Sequence, residues 1–119
     1  MVHLALTETV RVTVEKVGSM GGSKGGRKQG VQGMFNFGRR TRAALAVVDI
    51  LGLPRDEVAP DVWKRACGVS AGKGTSLAAA RSLWPDAAHL LSRVKDEARA
   101  EAALIARHGM RAARLGRAA

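Results

Sequence analysis

Hydrophobic and polar residues alternate near the start of the chain and again some twenty residues later. Over residues 4–14, leucines and valines recur on one face while threonines and charged residues fill the other. This period of two is typical of a strand with one buried side. A shorter alternation covers residues 31–37. We expect the two segments to pair as a β-ribbon, which needs a covering partner because a lone two-stranded ribbon is marginal in water.

From Thr41 onward the hydrophobic period becomes helical. Three short helices are predicted, at residues 41–51, 60–68 and 75–84, and a long fourth helix at about 86–108. Pro60 suits a first helical turn, and glycines at 52 and 68 suit helix ends. In the first helix we expect these residues to face inward: Ala44, Leu45, Val47, Val48 and Leu51. In the fourth helix the expected buried stripe is Ala87, Leu90, Leu91, Val94, Ala98, Ala102 and Ile105.

The predicted fold class is α+β, mainly α. It has an N-terminal two-stranded β-ribbon with a long basic glycine-rich loop at 18–30, then three short helices and one long C-terminal helix. At 119 residues the chain suits one small domain. We divide that domain into the ribbon (1–40), a helical body (41–108) and a basic tail (109–119). Since only 3% of residues are aromatic, Trp63 and Trp84 are expected to anchor a modest core.

The amount and distribution of charge indicate that this small, mainly helical protein binds polyanions. The formal net charge is +10 and the sequence pI is near 11.3. Two segments, 18–42 and 107–117, contain basic residues and no acidic ones, while the signs balance over the rest of the chain. Such clustering favours contact with nucleic acid over an ordinary solvated surface. The predicted phosphate-binding residues are Lys24, Arg27, Lys28, Arg39, Arg40, Arg42, Arg107, Arg111, Arg114 and Arg117.

The sequence contains no pattern typical of a catalytic, metal or cofactor site. The three histidines are scattered and Cys67 is the single cysteine, so neither a zinc site nor an internal disulfide is expected. The glycine-rich segment 68–75 has three residues before its Gly-Lys pair, where a Walker A loop needs four. We therefore expect a non-enzyme without cofactor, metal or small-molecule substrate. The lone cysteine indicates a reducing compartment, the cytoplasm or an organelle matrix such as that of mitochondria.

Residues 66–70, Ala-Cys-Gly-Val-Ser, resemble the turn of helix-turn-helix proteins. The resemblance implies that the helices at 60–68 and 75–84 form the motif, with the second helix entering the major groove of DNA. Two glycines, Gly72 and Gly74, would then fall inside the recognition helix, where each costs about 1 kcal/mol.

Phe35 and Phe37 stand between glycines and close to basic residues. Exposed aromatic rings in such a setting can stack on unpaired bases. Because only two strands are predicted, we expect both rings to close the ribbon against the helices instead.

The preferred interpretation is a non-catalytic, RNA-binding structural component of a ribonucleoprotein, most concretely a ribosomal or mitochondrial-ribosomal protein that contacts rRNA phosphates through basic extensions. Structured RNA and neighbouring proteins of a large assembly are the expected partners, without membrane insertion. Two alternatives stay open: a DNA-binding helix-turn-helix regulator or architectural protein, and a scaffold subunit of a large protein complex.

Overall fold

A computed structural model describes residues 10–16, 31–70 and 72–118, without the side chains at positions 34, 37, 117 and 118. The α-helices are α1 (Val31–Ile50), α2 (Pro60–Cys67), α3 (Thr75–Leu83) and α4 (Glu97–Ala118), and the strands are β1 (Val12–Glu15) and β2 (Arg55–Val58). Two 3₁₀ helices, Pro85–Leu91 and Val94–Asp96, connect α3 to α4. The predicted class, α+β and mainly α, is confirmed.

The described sheet has two parallel strands, β1 and β2. The amide of Lys16 donates to the carbonyl of Val58 over 2.7 Å, and the amide of Val12 donates to the carbonyl of Pro54 over 3.0 Å. A ribbon of residues 4–14 with residues 31–37 was therefore the wrong pairing. The first strand is confirmed over Val12–Glu15, and the part of the prediction at residues 4–9 lies outside the described residues.

Residues 31–37 form the first two turns of α1 rather than a strand. Nucleating a helix is costly, but extending an existing one gains a hydrogen bond for each residue that is fixed. Once a helix has formed from Thr41 onward, it can therefore extend toward the N-terminus through residues 31–37. This extension outweighs the strand preference of the valine and the phenylalanines in that segment. The inward face expected for this helix is also wrong in part, because Val47 and Leu51 are exposed by 56% and 65%.

The described chain divides into two compact units. The first contains residues 10–12 and 31–55, and the second contains residues 13–16 and 56–118, apart from position 71. None of the described side chains of α1 is buried. Every buried hydrophobic residue that the structure describes belongs to the second unit.

Two adjoining clusters form the core of the second unit. One surrounds Trp63 and Leu104, both with 0% exposure, and the other includes Leu77, Leu91 and Ala100. Trp84 packs against both clusters. The expectation that both tryptophans anchor the core is therefore confirmed.

Local signals placed α2 correctly. Pro60 begins the helix, and Gly68 follows its last residue in the left-handed conformation, with φ of 67°. The amides of Gly68 and Val69 donate to the carbonyls of Arg65 and Lys64, which is the Schellman arrangement that satisfies the last carbonyls of a helix. Glycine suits this position because it has no Cβ to oppose a positive φ.

The N-terminus of α3 is capped from another helix. Its N-cap residue, Gly74, has no side chain to accept from the first amides. Instead, the carboxylate of Glu97, at the start of α4, accepts from the amide of Leu77 over 3.3 Å. A carboxylate at this end also complements the positive end of the helix dipole.

The long fourth helix was predicted wrongly at both ends. The predicted helix is interrupted near Arg93, where Asp96 accepts hydrogen bonds from both the amide and the guanidinium of Arg93. These bonds lower the pKa of the Asp96 carboxyl. The break shifts the helical phase, so Val94 is 89% exposed while Ala100 and Leu104 are buried. At the other end, α4 continues through the expected tail to Ala118.

Gly109 lets α4 approach β1 closely. A Cβ at this position would collide with Thr13, lying 2.7 Å from the Thr13 Cβ and closer still to its hydroxyl. Any larger side chain would therefore push the strand and the helix apart. Glycine weakens an exposed helix by about 1 kcal/mol, but here it permits the contact that holds the second half of α4 to the sheet.

Candidate nucleic-acid interface

Three of the predicted phosphate-binding arginines, Arg39, Arg40 and Arg42, lie on α1 with exposed side chains. The half-buried residues Thr41 and Leu45 lie on the other side of the helix, together with Val48. Among the described residues, no carboxylate forms an ion pair with any of the three arginines. We call these three residues the α1 basic face.

An aromatic ring, that of Phe35, lies beside Arg39 of the α1 basic face. The Arg39 guanidinium carbon is 5.7 Å from the centroid of the Phe35 ring, a cation–π distance, and Phe35 is 60% exposed. Since the two residues are four apart, they occupy one side of the helix. A shallow depression runs between Phe35, Gly38, Arg39 and Arg42. The expectation that Phe35 closes a ribbon against helices is therefore wrong, and Phe37 is among the side chains that the structure does not describe.

A second basic surface occupies the C-terminal half of α4. Arg107, Arg111 and Arg114 follow one another at intervals of four and three residues, which aligns them along one side of the helix. Arg111 and Arg114 are exposed and Arg107 is half-buried. No described carboxylate forms an ion pair with them. We call these three residues the α4 basic face; Arg117 also lies on α4, one turn further along.

The helix dipole does not account for this distribution. Basic residues near a helix C-terminus stabilise it by about 0.3–1 kcal/mol each, but the effect falls off within the last turn. Since α4 ends at Ala118, only Arg117 is clearly in range. Arg107 lies three turns before the end and Arg111 two turns before it, so the helix dipole does not explain their unpaired charges.

A groove between α2 and α4, with a volume of about 180 Å³, adjoins the α4 basic face. We call it the α2–α4 groove. Its apolar surface comes from small and aliphatic residues, and its rim carries two guanidinium groups and an imidazole. The lining residues are Ala66, Cys67, Arg107, His108, Arg111, Ala112 and Leu115.

The pKa of the Cys67 thiol is affected by the charges around the α2–α4 groove. Burial raises the pKa of its thiol, and the charges of Arg107 and Arg111 act in the opposite direction. The positive field of the two arginines therefore reaches the inner wall of the groove. The Cys67 sulfur lies 3.9 Å from the Leu104 carbonyl oxygen, and the residue is half-buried rather than enclosed in the core.

Two acidic side chains close to the core, Glu15 and Glu97, have structural partners. Glu15 accepts from the indole Nε1–H of Trp63 over 2.7 Å, in addition to the cap that Glu97 provides for α3. Partial burial raises the pKa of the Glu101 carboxyl, an effect that the charge of Lys64 opposes and those of Glu15 and Glu97 reinforce. No group of histidine, cysteine and acidic side chains within the described residues could hold a metal ion.

The structure thus describes part of the predicted site. It places Arg39, Arg40 and Arg42 together on α1, and Arg107, Arg111 and Arg114 together on α4. Lys24, Arg27 and Lys28, with the loop at 18–30, lie outside the described residues. Sequence reasoning missed the α2–α4 groove, because its two walls lie some forty residues apart along the chain. Ala112 and Leu115, three positions apart beside the arginines, were the available signal.

Comparison of the chain with known protein families finds no match, and no curated protein matches it either. In the described part of the chain, no helix has the length and apolar character needed to cross a bilayer.

Proposed function

We propose that this protein is a non-catalytic, RNA-binding component of a ribonucleoprotein, most concretely a ribosomal protein. The observation that carries the proposal is the arrangement of six arginines on two helices, without carboxylate partners among the described residues. Arginine presents a planar fork of donors that matches phosphate oxygens, and it stays charged under all physiological conditions. Rows of arginines without carboxylate partners favour binding to a polyanion.

RNA is favoured over duplex DNA by the Phe35–Arg39 pair and by the link between α2 and α3. An exposed ring beside a guanidinium offers two planar surfaces on which unpaired bases stack. A helix-turn-helix motif joins its helices by a turn of three or four residues, whereas seven residues, 68–74, separate α2 from α3. Gly72 and Gly74 accordingly precede α3 and do not weaken it, but the longer link does not favour insertion of α3 into a major groove.

The lack of catalysis is part of the same proposal. Catalytic acids and bases need groups free to exchange protons with a substrate at a suitable pKa. The carboxylates of Glu15, Glu97 and Asp96 are instead engaged by an indole N–H, a helix amide and a guanidinium. We place the protein in a reducing compartment, cytoplasm or organelle matrix, because its single cysteine is a free thiol.

The salt dependence of RNA binding tests the proposal. Each phosphate contact contributes about −0.7 to −0.9 to the slope of log K against log salt concentration. If all six described arginines engage, they contribute about −4 to −5 to that slope. Replacing the α1 basic face (Arg39→Gln, Arg40→Gln, Arg42→Gln) or the α4 basic face (Arg107→Gln, Arg111→Gln, Arg114→Gln) should each reduce its magnitude by about 2 to 3.

The matched control removes the same charge elsewhere. Arg65, Lys73 and Lys95 are exposed and lie outside both basic faces, so Arg65→Gln, Lys73→Gln, Lys95→Gln should change the slope far less. If all three triple variants changed the salt slope equally, binding would depend only on net charge, and the assignment of the two basic faces would be wrong. Tighter binding of duplex DNA than of structured RNA at equal salt would overturn the RNA proposal, and a slope near zero for both would favour a protein scaffold.

A further inference from the structure

The α2–α4 groove combines features that a phosphate site alone does not need. Phosphate contacts on a protein surface are made by exposed cationic groups, as on the α1 basic face. Here two arginines and a histidine stand beside an apolar surface formed by Ala66, Ala112 and Leu115. Such a surface contributes nothing to holding a phosphate, which would remain hydrated, but it suits a planar ring with little charge.

The size of the groove limits what it can hold. Its volume of about 180 Å³ corresponds to about six water molecules at their share of liquid volume. Sites for drug-sized ligands are larger, at about 300–1,000 Å³. The groove therefore has room for one ring and not for a complete dinucleotide or a folded cofactor. The sugar and phosphates attached to that ring would lie at the rim, beside Arg107 and Arg111.

The walls of the groove are held in place by the core. Cys67 precedes the Schellman turn that ends α2, and Leu104, fully buried, fixes α4 one turn before His108. Between Arg107 and Arg111, the contact of Gly109 with Thr13 holds α4 against β1. The stretch of α4 backbone that carries Arg107 and Arg111 is therefore fixed before any ligand arrives, which reduces the entropic cost of binding.

We infer that the α2–α4 groove binds one unpaired base of the RNA, with the adjoining phosphates held by Arg107 and Arg111. This inference rests on the proposed function and deepens it, because it assigns the α4 basic face a preference for single-stranded or looped RNA. Bases in a continuous A-form helix are stacked and paired, so they cannot enter the groove.

A substitution that fills the groove without altering charge tests the inference. Ala112 lines the groove from an exposed position on α4, so Ala112→Leu occupies the space without disturbing the core. Affinity for a short oligouridylate should fall about five- to tenfold, the lower part of the range for stacking one base. Affinity for an RNA duplex, and the salt slope for both, should stay unchanged. The control is Ala106→Leu, at an exposed position of α4 outside the groove.

Cys67 provides a second measurement that does not depend on a variant. As the only cysteine in the chain, it allows the rate of alkylation by iodoacetamide to report occupancy of the groove. Saturating oligouridylate should slow the reaction at least severalfold, while duplex RNA and inorganic phosphate at the same ionic strength should leave the rate unchanged.

The outcomes separate the inference from the proposed function. If oligouridylate binds with the expected salt slope but neither slows alkylation nor responds to Ala112→Leu, the groove is not a base site and the proposed function stands. If duplex RNA or phosphate protects Cys67 as well as oligouridylate does, the groove holds a phosphate and the inference is wrong. If no RNA binds at all, both are overturned.

Discussion

The two compact units of the protein each carry one basic face of three arginines, and the two faces have very different structural support. In the second unit, α4 is held by Trp63, Leu104 and the Gly109–Thr13 contact, so its basic face extends from a packed core. In the first unit, α1 is twenty residues long and none of its described side chains is buried. That helix rests on its own backbone hydrogen bonds and on half-buried residues such as Leu45 and Val48. One basic face is thus positioned by tertiary packing and the other by helix formation.

The largest effect is expected from the core of the second unit. Trp63→Ala removes a fully buried side chain and the donor to Glu15, and should lower the free energy of unfolding by about 3–5 kcal/mol. Trp63→Phe keeps most of the apolar volume and should cost about 1.5–3 kcal/mol, the value of a hydrogen bond to a charged group. Urea denaturation followed by circular dichroism measures both.

The counterpart in the first unit is Val48→Ala, at a half-buried position of α1. Its cost should stay below about 1.5 kcal/mol, because little packing surrounds the side chain and alanine has the better helix propensity. A cost equal to that of Trp63→Ala would contradict the contrast between the two units.

Glycines in the two helices should respond with opposite sign, and the larger change is at Gly109. The variant Gly109→Ala gains up to about 1 kcal/mol of helix propensity. It also forces a Cβ against that of Thr13, and such overpacking costs about 1–3 kcal/mol. Rotation of the Thr13 side chain cannot move its Cβ, so the net effect should be destabilising. Adding Thr13→Gly should recover part of the loss, and simple additivity in this cycle would argue against the contact.

A stabilising change is expected at Gly38 in α1. A Cβ there meets nothing within 4 Å, so Gly38→Ala should stabilise the helix by about 0.5–1 kcal/mol through propensity alone. Hydrogen exchange of the α1 amides should slow by about two- to fivefold, corresponding to that free energy. Unchanged exchange would mean that helix formation does not limit the stability of this unit.

The smallest effect concerns pH and the acidic side chains of the second unit. Partial burial raises the pKa of Glu101 above its ordinary value of 4.5, so the folded state binds the proton more tightly than the unfolded state. Stability therefore falls as the pH rises from 4.5 through the folded-state pKa. Glu101→Gln should remove this dependence and be more stable than the parent near pH 7, by about 0.5 kcal/mol or less. A difference that grows toward pH 4 would reverse the sign and reject the assignment.

The sequence predicted the elements whose signals are local. Pro60 and Gly68 delimit α2 correctly because proline at the first turn and left-handed glycine after the last residue act within a few positions. Strand β2 was missed, since residues 55–58, Arg-Asp-Glu-Val, show no hydrophobic alternation. Its pairing with β1 is parallel and depends on tertiary contacts. In the same way, the break near Arg93 depends on hydrogen bonds from Asp96 that no periodicity contains.

The candidate site was predictable in its charges and not in its shape. The two segments that contain basic residues and no acidic ones already identified Arg39 and Arg111 as candidate phosphate-binding residues. The proximity of Cys67 to Arg107 required knowledge of how α2 packs on α4, and the exposure of Phe35 required knowledge that residues 31–37 are helical. Both are consequences of packing among distant segments.

The cap that Glu97 places on α3 also bears on the order in which the second unit folds. One of the first amides of α3, that of Leu77, is satisfied by a carboxylate twenty positions downstream, so the capping of this helix depends on a distant segment. At nine residues, α3 is also shorter than the length at which isolated helices persist in water. Formation of α3 is therefore coupled to the arrival of α4, and the two helices should appear together in the folding transition state. The same contact makes a partly unfolded form, with α4 detached and α3 intact, energetically unfavourable.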